Sequence, residues 1–135
     1  MPPTYFELSI STSKRNEFLD ITHEVSRAVA ESGVAEGLCV VHIPHTTAGV
    51  TINENADPDV VRDMEIHLSS MVPPRGDFRH SEGNSDSHIK STLAGPSLTV
   101  IIHGGRLVLG TWQGIYFCEF DGPRRRRFMI KCMEG

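Results

Sequence analysis

The first hydrophobic pattern along the chain is an alternation of apolar and polar residues, which predicts a half-buried strand over Tyr5–Ser11. Apolar residues at helical spacing follow it. They predict a first helix that Ser13 caps and that runs to about Ser32, with Gly33 suited to end it. The chain therefore begins with a strand and a helix that each have one apolar side.

Two stretches in the middle of the chain, 38–43 and 46–55, are rich in apolar residues and predict two more strands. A second helix is predicted directly after them. Asp57 is suited to be its N-cap and Pro58 to be its first residue, and the proline pair at 73–74 ends it.

The segment 73–96 breaks these patterns because it is polar and has little periodicity. Long irregular segments within a domain are typically functional or disordered. A short capped helix is predicted inside this segment over 85–93. Three strands follow, with a tight turn at Gly104 and Gly105; they are predicted over 98–102, 106–120 and 124–133.

The order of these elements predicts an α+β fold in a single domain over residues 1–135. Short connections near the end of the chain favour antiparallel pairing. We therefore expect mostly antiparallel sheets that form a sandwich-like core, accompanied by two main helices.

Composition narrows the classes of function. The net charge of −4 disfavours a general role in nucleic-acid binding. No apolar run approaches the length of a membrane span, and no secretory signal is visible. Cys39, Cys118 and Cys132 form no CxxC pair and are predicted to be buried free thiols. A cytoplasmic protein without disulfides is the expectation.

Three of the seven histidines stand out. His45 follows Pro44 at the end of a strand, and His80 and His88 lie in the irregular segment. Imidazoles that converge from two segments would form an open three-histidine site for zinc, with nickel, copper and iron as alternatives. Spacing alone gives this site only weak support, since no HExxH motif and no paired CxxC motif appear. The other histidines are assigned to surface or packing roles, with His42 expected in the core.

Two polar clusters could orient a ligand. Polar residues crowd one strand end, although this stretch could also serve only as a helix entry; they are Thr46, Thr47, Asn53, Glu54 and Asn55. The segment 83–90 combines glycine, small hydroxyls and a lysine, which suits a phosphate, but an ordinary capped turn explains it equally well.

Two further features have both a functional and a plain interpretation. Trp112 could line a pocket or pack in the core. In the arginine run, Arg124 and Arg126 share one face of a strand and Arg125 and Arg127 share the other. One of these two pairs could bind an anion or contact a neighbouring subunit. A charged edge strand is the alternative.

Taken together, these motifs resemble the YjbQ family, also called UPF0047. The resemblance covers nearly the whole chain in order. It is carried by the motifs His45-Thr46-Thr47-Ala48-Gly49, Asn53-Glu54-Asn55-Ala56-Asp57-Pro58, Glu82-Gly83-Asn84, Ser87-His88-Ile89-Lys90, Gly95-Pro96-Ser97, Leu109-Gly110-Thr111-Trp112-Gln113-Gly114-Ile115 and Glu119-Phe120-Asp121-Gly122-Pro123-Arg124.

The resemblance implies a homotrimer with a site near the subunit contacts. It also implies a weak thiamine phosphate synthase activity, which couples a pyrimidine pyrophosphate to a thiazole phosphate, while the physiological role is unsettled. A divalent metal, zinc for preference, is expected at His45, His80 and His88.

The remaining expected site residues have two roles. The expected catalytic residues are Glu54, Asp63 and Lys90. The expected substrate- or anion-binding residues are Thr46, Asn53, Asn84, Ser87, Lys90, Trp112 and Arg124. The competing hypotheses are a metal-dependent hydrolase of a small phosphorylated molecule, a non-catalytic metal- or phosphate-binding module, and an interaction protein whose histidines support the trimer.

Overall fold

Eight strands and three helices make up the fold of the computed structural model, which describes all 135 residues. The strands are β1 (Tyr5–Ser11), β2 (Glu17–Asp20), β3 (Gly37–His42), β4 (Ala48–Glu54), β5 (Ser97–His103), β6 (Arg106–Leu107), β7 (Gln113–Glu119) and β8 (Arg125–Glu134). The helices are α1 (Thr22–Ser32), α2 (Pro58–Met71) and α3 (Ser85–Ala94).

The strands form two antiparallel sheets. Sheet A has the order β1-β8-β3-β5-β6, and sheet B has the order β2-β7-β4. In sheet A the central strand β3 aligns Cys39 with Cys132 of β8 on one side and with Val100 of β5 on the other. The predicted α+β fold with antiparallel, sandwich-like sheets is confirmed.

The main core contains seventeen buried apolar residues contributed by both sheets and by α1, with Val41, Phe117 and Ile130 among them. A smaller cluster, Tyr116, Cys118 and Phe120, lies on the opposite face of β7. Strand β7 is therefore buried on both faces, and all three cysteines are buried free thiols, as predicted.

The predicted first helix is wrong over its first nine residues. Ser13 does not cap a helix; its backbone N–H and hydroxyl bind the Glu17 carboxylate instead. Residues 17–20 form β2, which pairs with β7, and the helix begins at Thr22. Pairing with a neighbouring strand outweighs the helical spacing of the apolar residues here, because propensity is weaker than tertiary contact.

The predicted long strand over 106–120 is also wrong. Its first two residues pair with β5 in sheet A, whereas Gln113–Glu119 belongs to sheet B. The chain changes sheets between them. Gly114 allows the close approach of another segment there, since a Cβ at this position would lie 2.5 Å from Asn55 Nδ2.

The helices α2 and α3 have the predicted positions. Asp57 caps α2 by accepting a 2.9 Å hydrogen bond from the Asp59 N–H, and Pro58 is the first helical residue. His42 is exposed on β3, so its predicted core position is wrong. None of the three helices has the length and apolar character needed to cross a membrane.

Candidate functional site

A cleft of about 430 Å³ opens where three connections of the fold meet. These are the turn after β3, the segment before and at the start of α3, and the turn between β7 and β8. None of the lining residues is hydrophobic; they are Pro44, His45, Thr46, Thr47, His80, Glu82, Asn84, His88, Asp121, Arg124 and Arg126. We call this the histidine cleft.

His45 is anchored to the backbone of β8. The Arg127 backbone nitrogen lies 3.1 Å from the His45 Nε2, and its N–H donates to that atom when the ring proton is on Nδ1. In the other tautomer Nε2–H donates to the Arg127 carbonyl oxygen at 3.2 Å, and the Nδ1 lone pair is free for a ligand. Burial, reinforced by the charge of Arg126, lowers the pKa of His45, so the neutral ring is favoured.

His80 and His88 lie side by side in the same cleft. Their ring centroids are 5.4 Å apart, and the rings are nearly perpendicular. His80 is well exposed and lies 4.0 Å from a Glu82 carboxylate oxygen, whereas His88 is half-buried in the first turn of α3. In the single chain as folded, no three His, Cys, Asp or Glu side chains stand close enough together to hold a metal ion.

A buried ion pair forms the floor of the cleft. Arg126 donates through Nη2 and Nε to the two carboxylate oxygens of Glu119, at 2.5 and 2.8 Å. Thr12 donates to the same carboxylate, and Arg126 also donates to the Thr47 hydroxyl. Burial raises the pKa of Glu119, but these hydrogen bonds, one from the Asp121 N–H and the Arg126 charge outweigh it, so the net pKa is lowered.

Asp121 organises one wall of the cleft. Its carboxylate accepts hydrogen bonds from Asn84 at 2.8 Å, Arg124 at 3.2 Å and Arg15 at 3.3 Å. Arg15 continues to the buried Asp86 in the first turn of α3. The β7–β8 turn is thereby tied to the start of α3, which holds His88 beside the other cleft residues.

Of the expected ligand-binding residues, Thr46, Asn84 and Arg124 line the cleft together with the three histidines. Ser87 lies just behind it, where its hydroxyl donates to the Phe120 carbonyl oxygen at 2.5 Å. The buried Lys90 is not brought to the cleft: its ammonium donates to Asn16 and Ser69, and burial lowers its pKa.

The other expected site residues also lie outside the cleft. Glu54 ends β4, where its carbonyl oxygen accepts from the Tyr116 hydroxyl, and Asn53 donates to the Met64 sulfur. Asp63 is exposed on α2 beside Arg62. Trp112 is 62% exposed, so it is neither a core residue nor part of the cleft wall.

Sequence reasoning did not select Glu82 or Asp121, although both stand within the family motifs. Thr47 was considered only as a member of a polar cluster, and Arg126 only as one of two arginines that could bind an anion. For Arg126 the alternation along β8 placed it on one face with Arg124, but only the packing shows that this residue is buried and paired with Glu119.

Comparison with known proteins tests the family resemblance over the whole chain. Residues 6–135 match the family model described as UPF0047 protein YjbQ-like. UPF0047 protein MJ1081 of Methanocaldococcus jannaschii is 56% identical over 126 residues, which cover 93% of this chain and 91% of that protein. UPF0047 protein YugU of Bacillus subtilis is 54% identical over 127 residues, 93% of this chain and 96% of that protein.

Solved structures show the same fold. A YjbQ/UPF0047 protein of Clostridium acetobutylicum superposes with a TM-score of 0.94 at 56% identity, covering 95% of this chain and 99% of that chain. A protein of unknown function from Sulfolobus solfataricus superposes with a TM-score of 0.93 at 28% identity, covering 97% and 96%. The match to the family model and these relatives, each spanning nearly full length, show that the chain belongs to the UPF0047 (YjbQ-like) family.

Proposed function

We propose that the histidine cleft binds a divalent cation, zinc for preference, and acts with it on a small phosphorylated molecule. One observation carries this proposal: His45, His80 and His88 are far apart in sequence yet line one cleft that has no hydrophobic wall. Neutral imidazoles are the donors that zinc prefers, and a three-histidine set leaves a position for water or substrate.

The donor types in the cleft suit such a cation, and in this proposal the three side chains move closer together to bind it. In the proposed metal-bound state the His45 Nε2 carries the proton and donates to the Arg127 carbonyl instead of accepting from the Arg127 N–H, which frees Nδ1 for the metal. Partners of metal-bound histidines commonly accept such a bond. His80 is exposed at the rim of the cleft, so its side chain can turn toward the other two rings.

A cation would also supply the positive charge that a phosphorylated ligand needs. Both arginines of the cleft are already paired, Arg126 with Glu119 and Arg124 with Asp121. Little uncompensated positive charge therefore remains for a phosphate or pyrophosphate. When bound, the cation supplies that charge and polarises a phosphoryl oxygen, while Arg124 and Thr46 orient the anion.

For the reaction, we propose a slow thiamine phosphate synthase-type transfer, with hydrolysis of a phosphorylated molecule or ligand binding without turnover as alternatives. Resemblance to the family supports the transfer. Glu54, Asp63 and Trp112 do not line the cleft of their own chain, so in this proposal they act only if a neighbouring copy offers them. A homotrimer in the cytoplasm is proposed on the same family likeness, and its site would then be shared between subunits.

Zinc titration by calorimetry of the chelator-treated protein tests the metal site. We expect one zinc ion per chain, with affinity at least tenfold lower in His45→Ala and His88→Ala. His67→Ala, which removes a histidine from helix α2, is the matched control and should bind like the parent. If His45→Ala and His88→Ala bind zinc as tightly as the parent, the proposed site is wrong.

The metal site also predicts a pH dependence. Because the pKa of His45 is lowered, this ring remains available to the metal at pH values where an ordinary imidazole, with a pKa of about 6.5, begins to protonate. We expect zinc affinity to be constant from pH 8 to 7 and to fall below about pH 6, where protons compete with zinc for imidazole nitrogens in general. Affinity that is independent of pH down to 5 would exclude histidine ligands.

Pyrophosphate release from a pyrimidine pyrophosphate and a thiazole phosphate tests the reaction. The zinc-loaded parent should turn over slowly and His88→Ala should lose the activity, while His67→Ala should keep it. Activity that survives the loss of His88 would separate the reaction from this cleft. Phosphate release from one substrate alone would instead favour the hydrolase.

A further inference from the structure

Asn84 has a buried oxygen without a partner. Its Nδ2 donates to the Asp121 carboxylate at 2.8 Å, and its Oδ1 is the one buried side-chain polar atom of the chain that has no hydrogen bond. The amide orientation is fixed, because the reverse orientation would place Oδ1 against a carboxylate oxygen. The side chain is 91% buried and lines the histidine cleft.

The helix does not use this oxygen either. Asn84 is the N-cap of α3, where an asparagine oxygen ordinarily accepts a hydrogen bond from an N–H in the first turn. Here no such side-chain bond is made. The residue therefore gives up its usual capping role and keeps a desolvated acceptor at the cleft, which a ligand with a hydrogen-bond donor would satisfy.

Two carboxylates also line the cleft, those of Glu82 and Asp121, and the Asp121 carboxylate already accepts from Asn84. They repel an anion that presents only bare oxygens, but they can accept a hydrogen bond from an anion that also carries an O–H. Hydrogen phosphate is the simplest such anion, whereas sulfate has the same tetrahedral shape and no proton to donate at neutral pH.

We infer that Asn84 makes the histidine cleft select an oxyanion that also offers an O–H donor, such as hydrogen phosphate or a phosphate ester with a neighbouring hydroxyl, over a fully deprotonated oxyanion such as sulfate. The inference rests on the proposed function, since the cation at the histidines holds the charged part of the anion. Oδ1 is covered in the folded chain, so the inference requires a neighbouring side chain to move aside and admit the donor.

Calorimetric titration of the zinc-loaded protein with inorganic phosphate and with sulfate at pH 7.5 tests the inference. We expect the parent to bind phosphate at least tenfold more tightly than sulfate. In Asn84→Ala the preference should fall below about threefold, through weaker phosphate binding with sulfate binding unchanged. Asn53→Ala, an asparagine outside the cleft, is the matched control and should keep the full preference.

Asn84→Gly serves as a second truncation, because glycine is well tolerated at an N-cap. Equal affinity of the parent for the two anions, or a preference retained in both Asn84 variants, overturns the inference and leaves the metal site intact. If neither anion binds although zinc does, the anion-binding half of the proposed function fails together with the inference. Zinc binding by His45→Ala is measured in a separate titration. Failure of the metal site is thereby distinguished from failure of the anion preference.

Discussion

At the scale of single residues, the buried ion pair of Glu119 and Arg126 fixes the strands that form the floor of the cleft. Both side chains are almost completely buried, and the carboxylate accepts from Arg126, Thr12 and the Asp121 backbone. A buried charge is tolerated only when it is paired and fully hydrogen-bonded. The network satisfies this condition and fixes β7, β8 and the turn after β3 relative to each other.

Replacing Glu119 by glutamine tests this network. The variant leaves the Arg126 charge buried without a counter-ion, so the free energy of unfolding at pH 7 should fall by about 3–5 kcal/mol. Chemical denaturation measures it. Glu7→Gln, which removes an exposed carboxylate 3.8 Å from Arg127, is the control and should cost less than about 1 kcal/mol.

The pH dependence of the same pair has a defined sign. The net pKa of Glu119 is lowered in the folded protein, so its stabilising contribution is complete above the ordinary glutamate pKa of about 4.3. It is lost as the pH falls through the lowered folded-state pKa. The stability difference between the parent and Glu119→Gln should therefore be constant from pH 7 to 5 and shrink below about pH 4. A difference that grows on acidification would contradict this assignment.

At the scale of elements, α3 determines which side chains reach the cleft. His88 and Lys90 are two positions apart, which is about 200° around a helix of 3.6 residues per turn. His88 accordingly faces the cleft, while Lys90 faces the Asn16 and Ser69 oxygens on the opposite side. The family motif joins the two residues in sequence, but the helix assigns them to different surroundings.

Helix α2 allows a test of its N-cap, Asp57, which the local sequence predicted. The Asp57 carboxylate accepts from the Asp59 N–H at its first turn, and no side chain of this helix is fully buried. Loss of an N-cap typically costs about 1 kcal/mol, so Asp57→Ala should lower the free energy of unfolding by that amount. Asp63→Ala, on the exposed face of the same helix, should have almost no effect. Equal losses in the two variants would argue against capping as the cause.

At the scale of the whole molecule, one part of the outer face of sheet A is apolar. Four exposed side chains line a groove of about 650 Å³ there: Leu38, Ile101, Val108 and Met133. Contiguous exposed apolar surface is typical of interaction sites. This face supports the proposed self-association, in which further copies of the chain would cover it.

Light scattering of the purified protein tests the assembly. We expect a mass of about three times the 14.9 kDa of one chain. Ile101→Lys should shift the protein toward the monomer because it places a charge in the apolar groove. Thr99→Lys, at an exposed position on the same face of β5, should keep the parent mass. A parent that is monomeric throughout would remove the trimer from the proposal.

Much of the fold and part of the site follow from local sequence. The alternation in β1, the Asp57-Pro58 helix start and the short helix over Ser85–Ala94 depend on neighbouring residues and were predictable. The grouping of His45, His80 and His88 was expected from the family resemblance more than from their spacing, and the three residues line one cleft.

Several features of the fold and the site were decided only by the tertiary structure, because they depend on contacts between residues that are distant in sequence. β2 replaces the start of the predicted helix because Phe18 pairs with Cys118, one hundred positions away. The long predicted strand divides because its two ends join different sheets. The Arg126–Glu119 floor and the unpartnered oxygen of Asn84 arise from burial. Burial is a property of the packed chain, so no local pattern of residues determines it.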